Sequence, residues 1–85
     1  MDLLPDHVST AETEYGVVVL DERTGRYWRL SRSAALVVTT LTRGASVNEA
    51  VTALTERYDV ERQRAERDVE RLLDSLRSAG LVRDR

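Results

Sequence analysis

Tyr15-Gly16-Val17-Val18-Val19-Leu20-Asp21-Glu22-Arg23-Thr24-Gly25-Arg26-Tyr27-Trp28-Arg29-Leu30 reads as two strands joined by a hairpin, and Ser31 behind it can start a helix. Three consecutive valines are stiff about χ1 and suit a pleated sheet better than a helix. Asp21 to Gly25 has hairpin chemistry, with Gly25 available for positive φ. Strand chemistry resumes from Arg26 to Leu30, where two of the four aromatic residues of the chain stand side by side. Alternation puts Trp28 and Leu30 on one face, toward a core, and Tyr27 and Arg29 on the other. As the last strand before a helical half, this segment forms a natural sheet edge. Unpaired backbone groups on such an edge are either blunted or used to bind an extended peptide.

Upstream, Val8 to Glu14 alternates weakly and reads as a further strand, preceded by a loosely held segment, residues 1–6, containing the single proline, Pro5. Downstream, Ser31 or Ser33 can cap a helix whose apolar residues Ala34, Val37, Val38 and Leu41 share one face and which closes at Gly44. Ser46 and Glu49 form a capping-box signature ahead of the stripe Val47, Ala50, Val51, Leu54, Tyr58. After the turn Tyr58-Asp59-Val60 comes the longest helix, about Glu61 to Ala79, with Ala65, Val69, Leu72, Leu73 and Leu76 on one side. Gly80 stops it, and Leu81-Val82 reads as a short extended piece. Three antiparallel strands followed by three helices define an α+β domain of winged-helix-like proportions, one domain over residues 1–85.

Composition narrows the function. Eighty-five residues, 41% of them hydrophobic, support one modest core but too little chain for a deep catalytic cavity. Without cysteine there is no thiol nucleophile, disulfide or thiolate metal site, which suits a reducing cytoplasm. No signal-peptide pattern opens the chain, and no apolar run approaches the roughly 18 residues needed to span a bilayer. The net charge of −2 speaks against a sequence-independent phosphate binder. All thirteen basic residues are arginine, a bias that fits carboxylate and aromatic contacts and equally fits a GC-rich coding sequence.

No catalytic or metal-binding constellation assembles. His7, the sole histidine, has no second ligand or base at suitable spacing and reads as an ordinary surface residue. The third helix balances five acids against five arginines. A solvated face with weak ion pairs, such as Arg64 with Asp68 and Asp74 with Arg77, explains most of them. Arg64, Asp68 and Arg71 stand as candidates for contact with a partner lying along the helix. The expectation is a binding protein without enzymatic activity, cofactor or metal.

The succession Gly25-x-x-Trp28-x-Leu30-Ser31, the close at Gly44, Ser46-Val47-x-Glu49, Tyr58-Asp59, Asp68-Val69 and Leu72-x-x-x-Leu76-x-x-x-Gly80-Leu81-Val82 resembles the PqqD-like family. These are leader-recognition domains of pathways that make ribosomally synthesised, post-translationally modified peptides. Tyr15-Gly16 and Asp21 to Trp28 look most like the free-standing recognition proteins of lasso-peptide pathways. Ser31 and Arg43 depart from the Asn and Asp that the family often carries. The resemblance implies that a precursor leader adds as a strand to Arg26, Tyr27, Trp28, Arg29 and Leu30. The facing wall would be the third helix, on the side of Ala65, Asp68, Val69, Leu72 and Leu76. It further implies delivery to a separate leader-cleaving protease and a maturation cyclase. Two alternatives are a winged-helix nucleic-acid binder and a recognition subunit of another peptide pathway, such as quinone-cofactor biosynthesis.

Overall fold

The computed structural model describes residues 3–14 and 16–82. Tyr15, expected to open the second strand, lies outside them. Three antiparallel strands, β1 (Val8–Thr13), β2 (Gly16–Asp21) and β3 (Tyr27–Leu30), precede three helices, α1 (Arg32–Thr42), α2 (Val47–Arg57) and α3 (Arg62–Ser78). The sheet order is β1-β2-β3, so β3 is an edge. In the register Val17 faces Leu30, Val18 faces Arg29, Val19 faces Trp28 and Leu20 faces Tyr27.

The hairpin joining β2 to β3 is tied by a buried carboxylate. Asp21 Oδ1 accepts from the Arg23 backbone N–H at 3.0 Å, its carbonyl accepts from Gly25 N–H and its own N–H donates to the Arg26 carbonyl. Arg26 therefore belongs to the turn, one residue before β3 begins. Gly16 has φ 136°, and a Cβ there would lie 2.9 Å from the Leu30 carbonyl oxygen, so close approach of β3 to the start of β2 requires glycine.

Two apolar clusters form the core. One, under the sheet, joins Val8, Val19, Leu30, Ala35 and Val38 to Leu76, Leu81 and Val82. The other joins the three helices through Val37, Leu41, Ala50, Val51, Leu54, Ala65, Val69 and Leu73. Leu72 packs against both. Ser31, rather than Ser33, caps α1, accepting from Ala34 N–H at 3.2 Å. At the start of α2 the capping box closes in both directions, Ser46 N–H to Glu49 Oε1 at 2.9 Å and Glu49 N–H to Ser46 Oγ at 3.0 Å.

Several expectations change. Ala35, not Ala34, is the fully buried alanine of α1, because the helix begins at Arg32 and its face is set by the Ser31 cap. Val47, the first residue of α2, and Tyr58, its C-cap, are exposed at the two ends of the stripe. The described residues before β1 are not loose: Leu3 and Leu4 pack on the core, and Val8 N–H bonds the Pro5 carbonyl at 3.0 Å. His7 is half-buried, and its Nε2 is enclosed without a hydrogen-bond partner among the described residues, so it is no ordinary surface residue.

Leu81-Val82 is not an extended piece. Gly80, at φ 75°, lets its N–H reach the Arg77 carbonyl at 2.9 Å and the Leu81 N–H reach the Leu76 carbonyl at 2.8 Å. This paired 5→2 and 6→1 closure turns Leu81 back onto Leu76 inside the core.

Acid sensitivity follows from two carboxylates. Burial pushes Asp21 up, but the Arg23 backbone N–H and the charges of Arg23 and His7 outweigh it and hold the carboxyl below its ordinary value. The Ser46 backbone N–H, with its hydroxyl, lowers Glu49. A carboxylate depressed in the folded state adds stability above its unfolded pKa, and that contribution disappears as pH falls through the folded one. Urea melts should therefore give a level midpoint from neutral pH down to the ordinary carboxylate range and a fall below it. Asp21→Asn should shrink that fall; an acid limb identical to wild type would remove Asp21 from this role.

Candidate functional site

Hydrogen-bond alternation decides which β3 groups are free. Asp21 N–H donates to the Arg26 carbonyl, so the pairs two and four residues along, Val19 with Trp28 and Val17 with Leu30, are the ones that exchange backbone bonds. The N–H and C=O of Tyr27 and Arg29 consequently point to the open edge. Side chains follow the same split, the inward-paired residues being the buried ones. Leu30 is buried and Trp28 packs half-buried against the core, whereas Tyr27 is 60% exposed. The Arg26 guanidinium lies over the Trp28 ring, 5.2 Å from its centroid, a cation–π contact.

The backbones of β3 and α3 stand apart. No Cα of β3 comes within 8 Å of a Cα of α3, while a strand added to β3 would sit about 4.8 Å from it. A groove of about 570 Å³ lies among α1, the end of α2 and α3, reaching the β3–α1 junction at Ser31. Ala34, Val37, Leu54, Val60, Ala65, Val69 and Leu72 make its floor apolar, and Ser31, Ser33, Tyr58, Asp59, Arg64 and Asp68 form a polar rim. An apolar floor with a few polar groups at the margin suits side-chain anchors of a bound chain. Among the described residues no cluster of His, Cys, Asp or Glu could hold a metal ion.

A family model described as coenzyme PQQ synthesis protein D (PqqD) matches residues 16–82, most of the chain. The chain belongs to the PqqD family. Solved structures agree with that placement. One, lasso peptide synthetase B1 complexed with the leader peptide, is 43% identical, covers 95% of this chain and 95% of that one, and superposes with a TM-score of 0.90. A second, TbiB1 in complex with the TbiA(beta) leader peptide, is 29% identical over 100% of this chain and 98% of that one, also with a TM-score of 0.90. No curated protein sequence matches.

Within this PqqD fold, Arg64, Ala65, Asp68, Val69 and Leu72 come together along the groove. Arg71 lies outside it, in a neighbouring depression, and Leu76 is buried in the core under the sheet. Arg26 to Leu30 form the edge beside the groove rather than its lining. The expected Arg64–Asp68 ion pair is not made; among the described residues, α3 carries the Arg77–Asp74 pair at 3.0 Å. Periodicity placed Val37 and Leu54 on apolar helix faces but gave no sign that they meet Ser33 and Val60 in one groove, since these residues come from α1, α2 and the turn before α3. Tyr58 had a local signal: an aromatic ring at a helix end, exposed and followed by a turn.

Proposed function

We propose that this protein captures the leader segment of a ribosomally made precursor peptide by strand addition to β3, in lasso-peptide biosynthesis. The outward N–H and C=O of Tyr27 and Arg29 carry this reading, because they supply an antiparallel partner with a ready ladder beside an apolar groove. The leader-peptide complexes of the two similar structures support it. The leader's backbone sets the register, and alternate side chains seat on the groove floor around Val69 and Leu72. One buried anchor side chain of about 150 Å² is worth roughly 4 kcal/mol at about 25 cal/mol/Å². Ordering a flexible leader offsets much of the total, which sets affinity around micromolar to nanomolar.

The protein itself performs no chemistry in this reading; it holds the precursor while a leader-cleaving protease and a maturation cyclase act. A nucleic-acid role lacks the basic face it would need, since acids and arginines alternate along α3. Neighbouring genes separate lasso-peptide service from quinone-cofactor service. Trp fluorescence titration with the leader of the adjacent precursor tests the groove directly, because Trp28 is the single tryptophan. Trp28→Ala, followed by anisotropy of a labelled leader, should weaken binding by about tenfold, through loss of the packing that holds the β3 edge, and Leu72→Asp by about 100-fold, through a charge on the groove floor. Unchanged titrations in both folded variants would sink the groove.

A further inference from the structure

Arg64, Arg67 and Arg71 line a second depression of about 390 Å³ on α3, together with Glu61, Gln63 and Asp68. It is continuous with the apolar groove, because Arg64 and Asp68 line both. All three arginines are exposed. The ion pairs among the described residues are Arg23–Asp21 and Arg77–Asp74, so the row faces the groove margin without a carboxylate partner. Its spacing matches an extended chain. Side chains on one face of a strand repeat about every 6.8 Å, close to the roughly 6 Å rise between helix residues four apart. A peptide running along α3 with one side chain on the groove floor thus brings its next same-face side chain to the helix one turn away.

We infer that the Arg64, Arg67 and Arg71 row reads a carboxylate, an Asp or Glu placed at fixed spacing from the apolar anchor of the bound leader. This rests on the strand-addition reading and adds a chemical requirement to it. Guanidinium forks bind a carboxylate through two parallel hydrogen bonds. Glu61 and Asp68, interleaved with the row, limit it to a single acid and disfavour a run of phosphates. Because the site is open to solvent, the expected discrimination is about three- to tenfold and weakens with salt.

Selection from a displayed library of random peptides about twelve residues long tests this without knowledge of the natural precursor. The full-length protein and an R64Q/R67Q/R71Q variant, shown folded by circular dichroism, are panned in parallel. Wild type should return peptides with a shared apolar anchor and an acid at one spacing, enriched about three- to tenfold over the variant's pool. Synthetic peptides from the wild-type pool, with that Asp changed to Asn, should lose the same factor on the unmodified protein at low salt and less at high salt. A shared anchor with equal acid content in both pools, or an Asn peptide bound as tightly as its parent, overturns the arginine row but not the groove. Pools with no shared anchor overturn the strand-addition reading with it.

Discussion

Arg29→Pro is expected to weaken leader binding by about 30-fold or more while the protein stays folded. The Arg29 N–H faces the open edge, so proline removes nothing from the β2–β3 ladder. It does remove one donor from the incoming strand and puts a ring in its path. A lost hydrogen bond of about 1 kcal/mol plus a steric penalty of similar size gives that factor. Proline is tolerated on edge strands with the N–H side toward solvent, which is why the thermal midpoint should move little. Trp28→Pro is the matched contrast. Its N–H pairs with β2, so that variant should lose the hairpin and much of its thermal stability. Equal damage from both prolines, or binding by Arg29→Pro at wild-type affinity, would mean that the peptide does not pair with β3.

Leu81→Ala should cost about 3 kcal/mol, within the range for emptying a buried leucine site. Leu81 is 0% exposed and packs with Leu76, Val19 and Leu30 in the cluster beneath the sheet. A domain of this size holds about a dozen kcal/mol at most, at about 0.05–0.15 kcal/mol per residue. The midpoint should therefore drop by roughly 12 °C or more. The consequence reaches the binding slot, because the Gly80 closure fixes the end of α3 against the sheet. Loosening it should weaken leader binding at temperatures well below the melt. A shift below about 3 °C would show that the closure carries little of the packing.

Local chemistry in the sequence foretold the architecture closely where it was self-sufficient. Val17 to Val19, the Asp21–Gly25 turn and the Ser46–Glu49 box each specify their structure within a few residues, and all appear in place. The ends of elements were less legible. Val47 and Tyr58 obey helical spacing but stand exposed at the two ends of the stripe, which spacing alone does not reveal. Leu81 reads as part of an extended piece in the sequence because its burial depends on a backward turn at Gly80. For the binding site, alternation on β3 correctly sorted Trp28 and Leu30 from Tyr27 and Arg29 by side chain. Backbone direction needed the β2 register, and it reverses the emphasis: the residues with exposed side chains are also those with free backbone groups. The groove floor was half visible, as the Ala65, Val69 and Leu72 stripe of α3. The other half comes from α1 and α2 and depends on how the helices pack.

Strand addition to β3 is tested most directly by amide hydrogen exchange of free and leader-bound protein, read residue by residue by NMR. Trp28 and Leu30 amides should be protected in both states, since they bond to β2, whereas Tyr27 and Arg29 should exchange rapidly when free and become protected on binding. Saturating leader that leaves the Tyr27 and Arg29 amides exchanging at their free rates would contradict it.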